Sequence, residues 1–147
     1  MYKSISLIIL LMLHALPGCS ESGPALSILK LQVVASAPAL KPGVAYMTIR
    51  NQGRSDVVLV AVSSPQFARI EMHQTVLNDG VARMQSLASV TIEANNKVDF
   101  APGGRHIMLS EPTQGLIPGA EVSLQFQFAS GEMLMVTSKL ATRISVN

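Results

Sequence analysis

Cysteine occurs only once in the 147 residues, at Cys19. With no second cysteine, the chain cannot form an internal disulfide. The sequence beyond Cys19 also offers no thiolate for a zinc site, an iron–sulfur cluster or nucleophilic catalysis. Any metal held by that part of the chain must therefore use His, Met or carboxylate ligands.

Charged and catalytic groups are scarce as well. Eleven Lys and Arg residues face nine Asp and Glu residues, for a formal net charge of +2. This balance lacks the basic surplus that nucleic acid or a polybasic lipid contact requires. Of the three histidines, His14 lies in an N-terminal apolar run. Two histidines without a paired-carboxylate motif leave few groups for acid, base or nucleophilic work, so the sequence indicates that the protein is not an enzyme.

Long apolar runs are confined to the N-terminus, where Lys3 precedes the stretch from Ile5 to Leu16. This run is shorter than the roughly 20 residues of a membrane span and is typical of a secretory signal. It ends in Leu-Pro-Gly-Cys, which resembles a bacterial lipobox. The interpretation is a signal peptide over residues 1–18 and lipidation of Cys19. The alternative is an ordinary signal followed by an unpaired cysteine.

The segment after the lipobox divides into a tether and a domain. Residues 19–27 are small and polar, include Gly23-Pro24, and predict a short lipidated tether. Residues 28–147 are enough for one domain with a sizeable core. We therefore expect a periplasmic, membrane-anchored lipoprotein. Ser20, directly after the lipidated cysteine, favours the outer membrane.

The domain has the pattern of an all-β sandwich or barrel. Short runs rich in Val, Ile, Leu and Phe are broken by turn residues every 8 to 12 positions. The alternation is clearest over residues 121–129, where Val122, Leu124, Phe126 and Phe128 predict a core face. The predicted strands are 28–35, 44–51, 57–62, 68–76, 81–87, 97–100, 106–110, 121–129 and 132–140.

The two remaining histidines, His73 and His106, both lie in predicted strands beside methionine. Strand parity places Met72 in the core and turns His73 outward. The same parity puts His106 and Met108 on one face, about 6.6 Å apart along the strand.

The sequence Asn78-Asp79-Gly80 predicts a hairpin that brings Met84 toward His73. A two-residue loop of Asn78 and Asp79 places the two side chains directly opposite each other. A loop of Asp79 and Gly80 makes them diagonal neighbours on the same face, and a three-residue loop would need a bulge to keep them together.

Two imidazoles with two thioethers favour Cu(I), because thioether sulfur binds it far better than Zn, Mg or Ca. Taken singly, each residue also has a structural interpretation: methionine fills gaps in cores, and isolated histidines are commonly surface or hydrogen-bonded residues. Three further methionines, Met47, Met133 and Met135, are assigned to the core.

The spacing of the four residues is specific. His73, Met84, His106 and Met108 follow one another as H-x10-M-x21-H-x-M, which resembles the motif of the PCuAC family of periplasmic copper chaperones. The resemblance covers about residues 44–136 and includes Ala45-Tyr46-Met47-Thr48-Ile49 with Asn51, Ile70-Glu71-Met72, Gly80-Val81, Pro102-Gly103-Gly104 and Pro118-Gly119.

The resemblance implies a cupredoxin-like Greek-key β-sandwich or barrel with one Cu(I) per chain at a partly exposed site. It also implies delivery of copper to the CuA centre of cytochrome c oxidase, often alongside a thioredoxin-like assembly factor. Two alternatives stay open from the sequence. One is a lipoprotein that sequesters copper for resistance, and the other is a metal-free module that binds another envelope protein.

Overall fold

The computed structural model describes residues 25–36 and 43–143, and their regular secondary structure consists of ten β-strands. The signal peptide predicted over residues 1–18, the lipidated Cys19 and most of the predicted tether lie outside the described residues. In the part that is described, no helix has the length and apolar character needed to cross a membrane. The strands are β1 (Leu26–Ser36), β2 (Gly43–Asn51), β3 (Val57–Ser63), β4 (Phe67–Asn78), β5 (Val81–Ser86), β6 (Val90–Ile92), β7 (Lys97–Phe100), β8 (Arg105–Pro112), β9 (Glu121–Phe128) and β10 (Met133–Arg143).

The strands form one continuous sheet that folds over on itself. Their order is β5-β4-β8-β7-β2-β1-β10-β9-β3-β6. The fold-over occurs at β1 and β10, whose parallel pairing from Val33↔Leu140 onward joins the two layers. Strands β3 and β4 stand near opposite ends of this order, yet together they line a cavity of about 230 Å³. This contact closes the sheet into a two-layered sandwich.

The core lies between the two layers and follows the alternation of the strands. The predicted inward set of β9, Val122, Leu124, Phe126 and Phe128, is confirmed, because each of these side chains is at most 1% exposed. Burying such large apolar side chains contributes roughly 1.5–3 kcal/mol each. The core therefore fixes which face of every strand is left for function.

The strand bounds differ from the sequence prediction by one to three residues at most strand ends, and two differences change the description of the fold. Strand β1 begins at Leu26, so Leu26 and Ser27 of the predicted tether belong to the sheet, and Leu26 is 2% exposed. Strand β6, Val90–Ile92, was not predicted. Three residues are too few to show a period of two in the sequence. Strand β6 forms because its backbone pairs with the free edge of β3.

Asn51 is a buried polar residue that holds the end of β2 in place. Its side-chain nitrogen donates to the carbonyls of Ser55, Ile92 and Glu93 at 2.8–3.2 Å, and its oxygen accepts from Gly53 N. A buried amide with its hydrogen bonds satisfied carries little desolvation penalty. Asn51, which belongs to the resemblance described above, therefore has a structural role.

Candidate metal centre

Strands β5, β4 and β8 are adjacent and form the platform that carries the four candidate ligands. Each candidate lies on the face opposite the core: Met72 is 7% exposed beside His73, and Ile107 is fully buried between His106 and Met108. The parity predicted from the sequence is confirmed at both places. Apolar neighbours in the core thus turn the candidate ligands to the outer face.

The β4–β5 hairpin adopts the second of the registers that the sequence left open. Asn78 pairs with Val81, so the loop is Asp79-Gly80, and Met84 lies opposite Thr75 rather than His73. Both loop residues have positive φ, +50° and +76°, as a tight hairpin turn of the primed type requires. Met84 is therefore a diagonal neighbour of His73 on the same face, within reach of a long side chain.

The two histidines face each other across β4 and β8. His73 is directly opposite His106 in the antiparallel register, and their ring centroids are 5.9 Å apart at an interplanar angle of 63°. The sequence did not predict this pairing, because the two residues are separated by 32 others and only the sheet order makes β4 and β8 neighbours. The pair forms the centre of the candidate site.

A backbone carbonyl determines which ring nitrogen of His106 carries the proton. Its Nδ1 lies 3.2 Å from the carbonyl oxygen of Gly104, which also accepts a hydrogen bond from Thr75 N. A carbonyl can only accept, so Nδ1 carries the proton and the lone pair is left on Nε2. Metal-ligating histidines commonly donate their other ring N–H to such a carbonyl. The geometry therefore presents Nε2 of His106 as a ligand atom.

His73 has a ring nitrogen with no partner. Its Nδ1 is buried and makes no hydrogen bond. Leaving a buried polar atom unsatisfied costs about 1–3 kcal/mol, and such an atom in a folded protein calls for a physical explanation. A bound cation would satisfy this lone pair, so the residues present fit a metal.

The two methionines flank the histidine pair on opposite sides. Met84, on the edge strand β5, is 65% exposed, whereas Met108 on β8 is half-buried and lies opposite Glu71. Because Glu71 and His73 share a face, Met108 is also a diagonal neighbour of His73. The four residues form a stripe across three strands, with the imidazoles at its middle and a thioether at each end.

Glu71 places a negative charge on the same face. The Arg69 guanidinium donates a 3.0 Å hydrogen bond to its carboxylate, and that bond holds the pKa of Glu71 below its usual value while raising the pKa of Arg69. From sequence we interpret Glu71 as a solvated strand-face residue, and its side chain is 29% exposed. Its position opposite Met108 could have been found only from the β4–β8 register.

Within residues 25–36 and 43–143, no group of three or more His, Cys, Asp and Glu side chains has a geometry suited to a metal ion. The candidate centre has only two ligands of these types, His73 and His106, and its other two ligands are methionines.

Comparison with known proteins gives the family. Residues 26–140 match the family model described as "Putative lipoprotein LpqE-like", and the match covers most of the chain. The chain belongs to this LpqE-like family. Two curated relatives match over shorter stretches: "Uncharacterized protein RP573" from Rickettsia prowazekii is 37% identical over 97 residues, and "Putative lipoprotein Lxx21020" from Leifsonia xyli is 31% identical over 88.

These alignments cover 65% and 59% of this chain, and 54% and 53% of the two relatives. The chain therefore spans about half the length of the curated relatives it matches.

Solved structures give the fold. The copper-bound PCuAC domain from PmoF2 superposes with a TM-score of 0.68 at 16% identity, covering 83% of this chain and 97% of that one. The apo PCuAC domain from PmoF1 gives 0.66 at 21% identity, with coverages of 82% and 96%. The Cu(I) form of DR1885 from Deinococcus radiodurans gives 0.63 at 23%, with coverages of 86% and 83%. The all-β, cupredoxin-like fold class implied by the resemblance is confirmed.

Proposed function

We propose that this protein is a carrier of Cu(I) that binds the ion between His73, Met84, His106 and Met108. The observation that carries the proposal is the opposed pair of histidines with centroids 5.9 Å apart. One ring has its Nδ1 proton fixed by a backbone carbonyl, and the other has a buried Nδ1 without a partner. Imidazole alone suits several metals, but the thioethers at both ends of the stripe favour a soft, monovalent ion.

The exposure of the site fits transfer of the ion. Met84 is 65% exposed on the edge strand, so one ligand is accessible to a partner, while His106, 8% exposed, is shielded from solvent. Thioethers need no deprotonation and cannot form disulfides, so the site would work in an oxidising compartment. The proposed role is that of a carrier and not of an enzyme.

The comparisons support the same role. Two of the superposed structures contain copper, the copper-bound PCuAC domain from PmoF2 and the Cu(I) form of DR1885. The family description and one relative's name both include the word lipoprotein. We propose a location in the periplasm, anchored through Cys19, and delivery of the ion to the CuA centre of cytochrome c oxidase, with a thioredoxin-like assembly factor as a further partner.

The ligand assignment is tested by titrating Cu(I) into the full chain, purified in detergent, against a competing chelator. His73→Ala, Met84→Ala, His106→Ala and Met108→Ala should each weaken binding. Removing a residue that hydrogen-bonds to a metal ligand typically lowers metal affinity roughly 10–100-fold, and removing either histidine should lower Cu(I) affinity by at least as much. Gln85→Ala, which alters an exposed neighbour of Met84 on the opposite face of β5, is the matched control and should bind normally. Unchanged affinity across the four variants would refute the assignment.

Delivery is tested separately by mixing the Cu(I)-loaded protein with an isolated, metal-free CuA domain. Appearance of the CuA absorption spectrum after one-electron oxidation with added ferricyanide, and only when the loaded protein has been added, supports delivery. Retention of copper by the protein in the presence of that acceptor would instead identify a sequestering lipoprotein that uses the same site.

A further inference from the structure

Two methionines on the other layer of the sandwich are exposed, contrary to the sequence prediction that assigned them to the core. Met133 and Met135 are 57% and 68% exposed on β10, whereas Met47, assigned to the core with them, is 3% exposed. Their neighbours Leu134 and Val136 are half-buried and lie on the inward face of β10. Methionine usually fills gaps in cores, and packing does not explain two thioethers in solvent.

The register of β9 and β10 places both methionines beside the same glutamine. Gln125 is directly opposite Met135, and its Nε2 donates a 2.9 Å hydrogen bond to Sδ of Met133. Met133 and Gln125 are thus diagonal neighbours whose side chains contact each other. The two methionines lie two positions apart along one face, a spacing of about 6.6 Å between Cα atoms that flexible thioether side chains can close.

The cross-strand partners that surround the two methionines carry no charge. Gln127 is opposite Met133, and on the far side of β9 the partners of Gln127 and Gln125 are the small residues Ala61 and Ser63. A half-turn of the Gln125 amide would replace its NH2 group with Oε1 and supply an oxygen donor beside the two sulfurs.

We propose that Met133, Met135 and Gln125 form a second site for a soft monovalent cation, Cu(I) or Ag(I). Two thioethers select such an ion over Zn, Mg or Ca for the same reason as in the histidine site. The second site lacks imidazole ligands, so it is the weaker of the two. Its strands β10 and β9 belong to the other layer, and the inference goes beyond the proposed function without depending on the histidine pair. The chain would then bind two ions, and not the one predicted from the sequence.

The test uses Ag(I), which does not change oxidation state, and the full chain purified in detergent. His73→Ala/His106→Ala removes the imidazoles of the first site, and this variant should still bind one Ag(I). Adding Met133→Leu and Met135→Leu should weaken that residual binding by more than about tenfold, since direct ligands are lost. Leucine conserves volume at exposed positions, and circular dichroism checks that the fold is intact.

A second readout follows the methionine methyl groups by NMR during the same titration. The Met133 and Met135 methyl signals should shift as Ag(I) is added to the His73→Ala/His106→Ala variant, and the buried Met47 signal should not. The proposal is overturned if this variant binds no Ag(I). It is also overturned if Ag(I) binding survives the two leucine substitutions and Ag(I) shifts only the methyl signals of Met84 and Met108. Failure of the proposed function has a different signature, because the histidine substitutions would then leave the tightest Cu(I) binding unchanged.

Discussion

The two histidines of the candidate centre differ in how their ring nitrogens are satisfied. The Gly104 carbonyl holds the Nδ1 proton of His106, whereas Nδ1 of His73 is buried without a partner. One ring is therefore oriented before any ion binds, and the other has a lone pair that an ion would satisfy. In the candidate centre, His106 is thus the ring that the backbone orients, and His73 is the ring whose Nδ1 has no partner within the protein.

Single residues also set the response of the domain to acid. The Thr48 hydroxyl donates a 2.6 Å hydrogen bond to Asp99, and it is the main cause that lowers the pKa of that carboxyl. A carboxyl with a lowered pKa in the folded state contributes stability above its unfolded pKa. This contribution is lost as the pH falls through the folded pKa.

We therefore expect Thr48→Val to raise the pKa of Asp99 toward its ordinary value. The difference in unfolding free energy between wild type and variant should be present at neutral pH and vanish once Asp99 is protonated in both. An NMR titration of the Asp99 carboxyl, with urea unfolding at each pH, measures both effects. Thr91→Val, at an exposed threonine of β6, is the control and should leave the Asp99 titration unchanged.

At the scale of the element, the β4–β5 hairpin decides where Met84 lies. Its loop uses positive φ at Asp79 and Gly80, and this turn sets Met84 diagonal to His73. All six residues of β5 are exposed, so the strand has little core packing to hold it and relies on its turn and its pairing with β4. The two turn residues therefore position one ligand of the candidate metal centre.

Gly80→Ala should destabilise this hairpin by about 1–2 kcal/mol, because a Cβ at φ +76° is strained even though nothing lies within 4 Å of it. Urea unfolding and amide hydrogen exchange along β5 measure the loss. Gly115→Ala also places its methyl group in open space, but at a glycine without positive φ. That control should be neutral or slightly stabilising, and equal effects of the two changes would contradict the turn assignment.

At the scale of the whole molecule, the two layers share one core. Buried residues from both layers, including Ile107 of β8 and Leu124 of β9, belong to a single cluster, and β1 pairs with β10 to join the layers. A domain of this kind is expected to unfold in one cooperative transition. An ion bound to the folded state alone stabilises that whole transition.

Addition of Ag(I) at about 100 times its dissociation constant should stabilise the domain by about 2.7 kcal/mol and raise Tm by roughly 5–15 °C. A chelator should reverse the shift. The His73→Ala/His106→Ala variant should lose most of it while keeping the Tm of the metal-free protein within a few degrees. An equal shift in this variant would show that the histidine centre is not the main site. Differential scanning calorimetry provides the measurement.

The sequence by itself determined the fold class and the buried face of several strands, among them β4, β8 and β9. Alternation of apolar and polar residues is a local property, and it correctly turned Met72 into the core and His106 away from it. The same local rule was ambiguous for Met133 and Met135, because they alternate with Leu134 and Val136 and both faces of that strand read as apolar. The prediction that placed these two methionines in the core was wrong.

The tertiary structure decided which strands are neighbours and in which register. It selected the Asp79-Gly80 loop from the registers that the sequence allowed, and it set His73 directly opposite His106 through the β4–β8 pairing. It also placed the Gly104 carbonyl against His106 and the Gln125 amide against the exposed thioether of Met133. The spacing of residues along a chain cannot specify these contacts, because they join strands far apart in sequence and depend on how the sheet closes around its core.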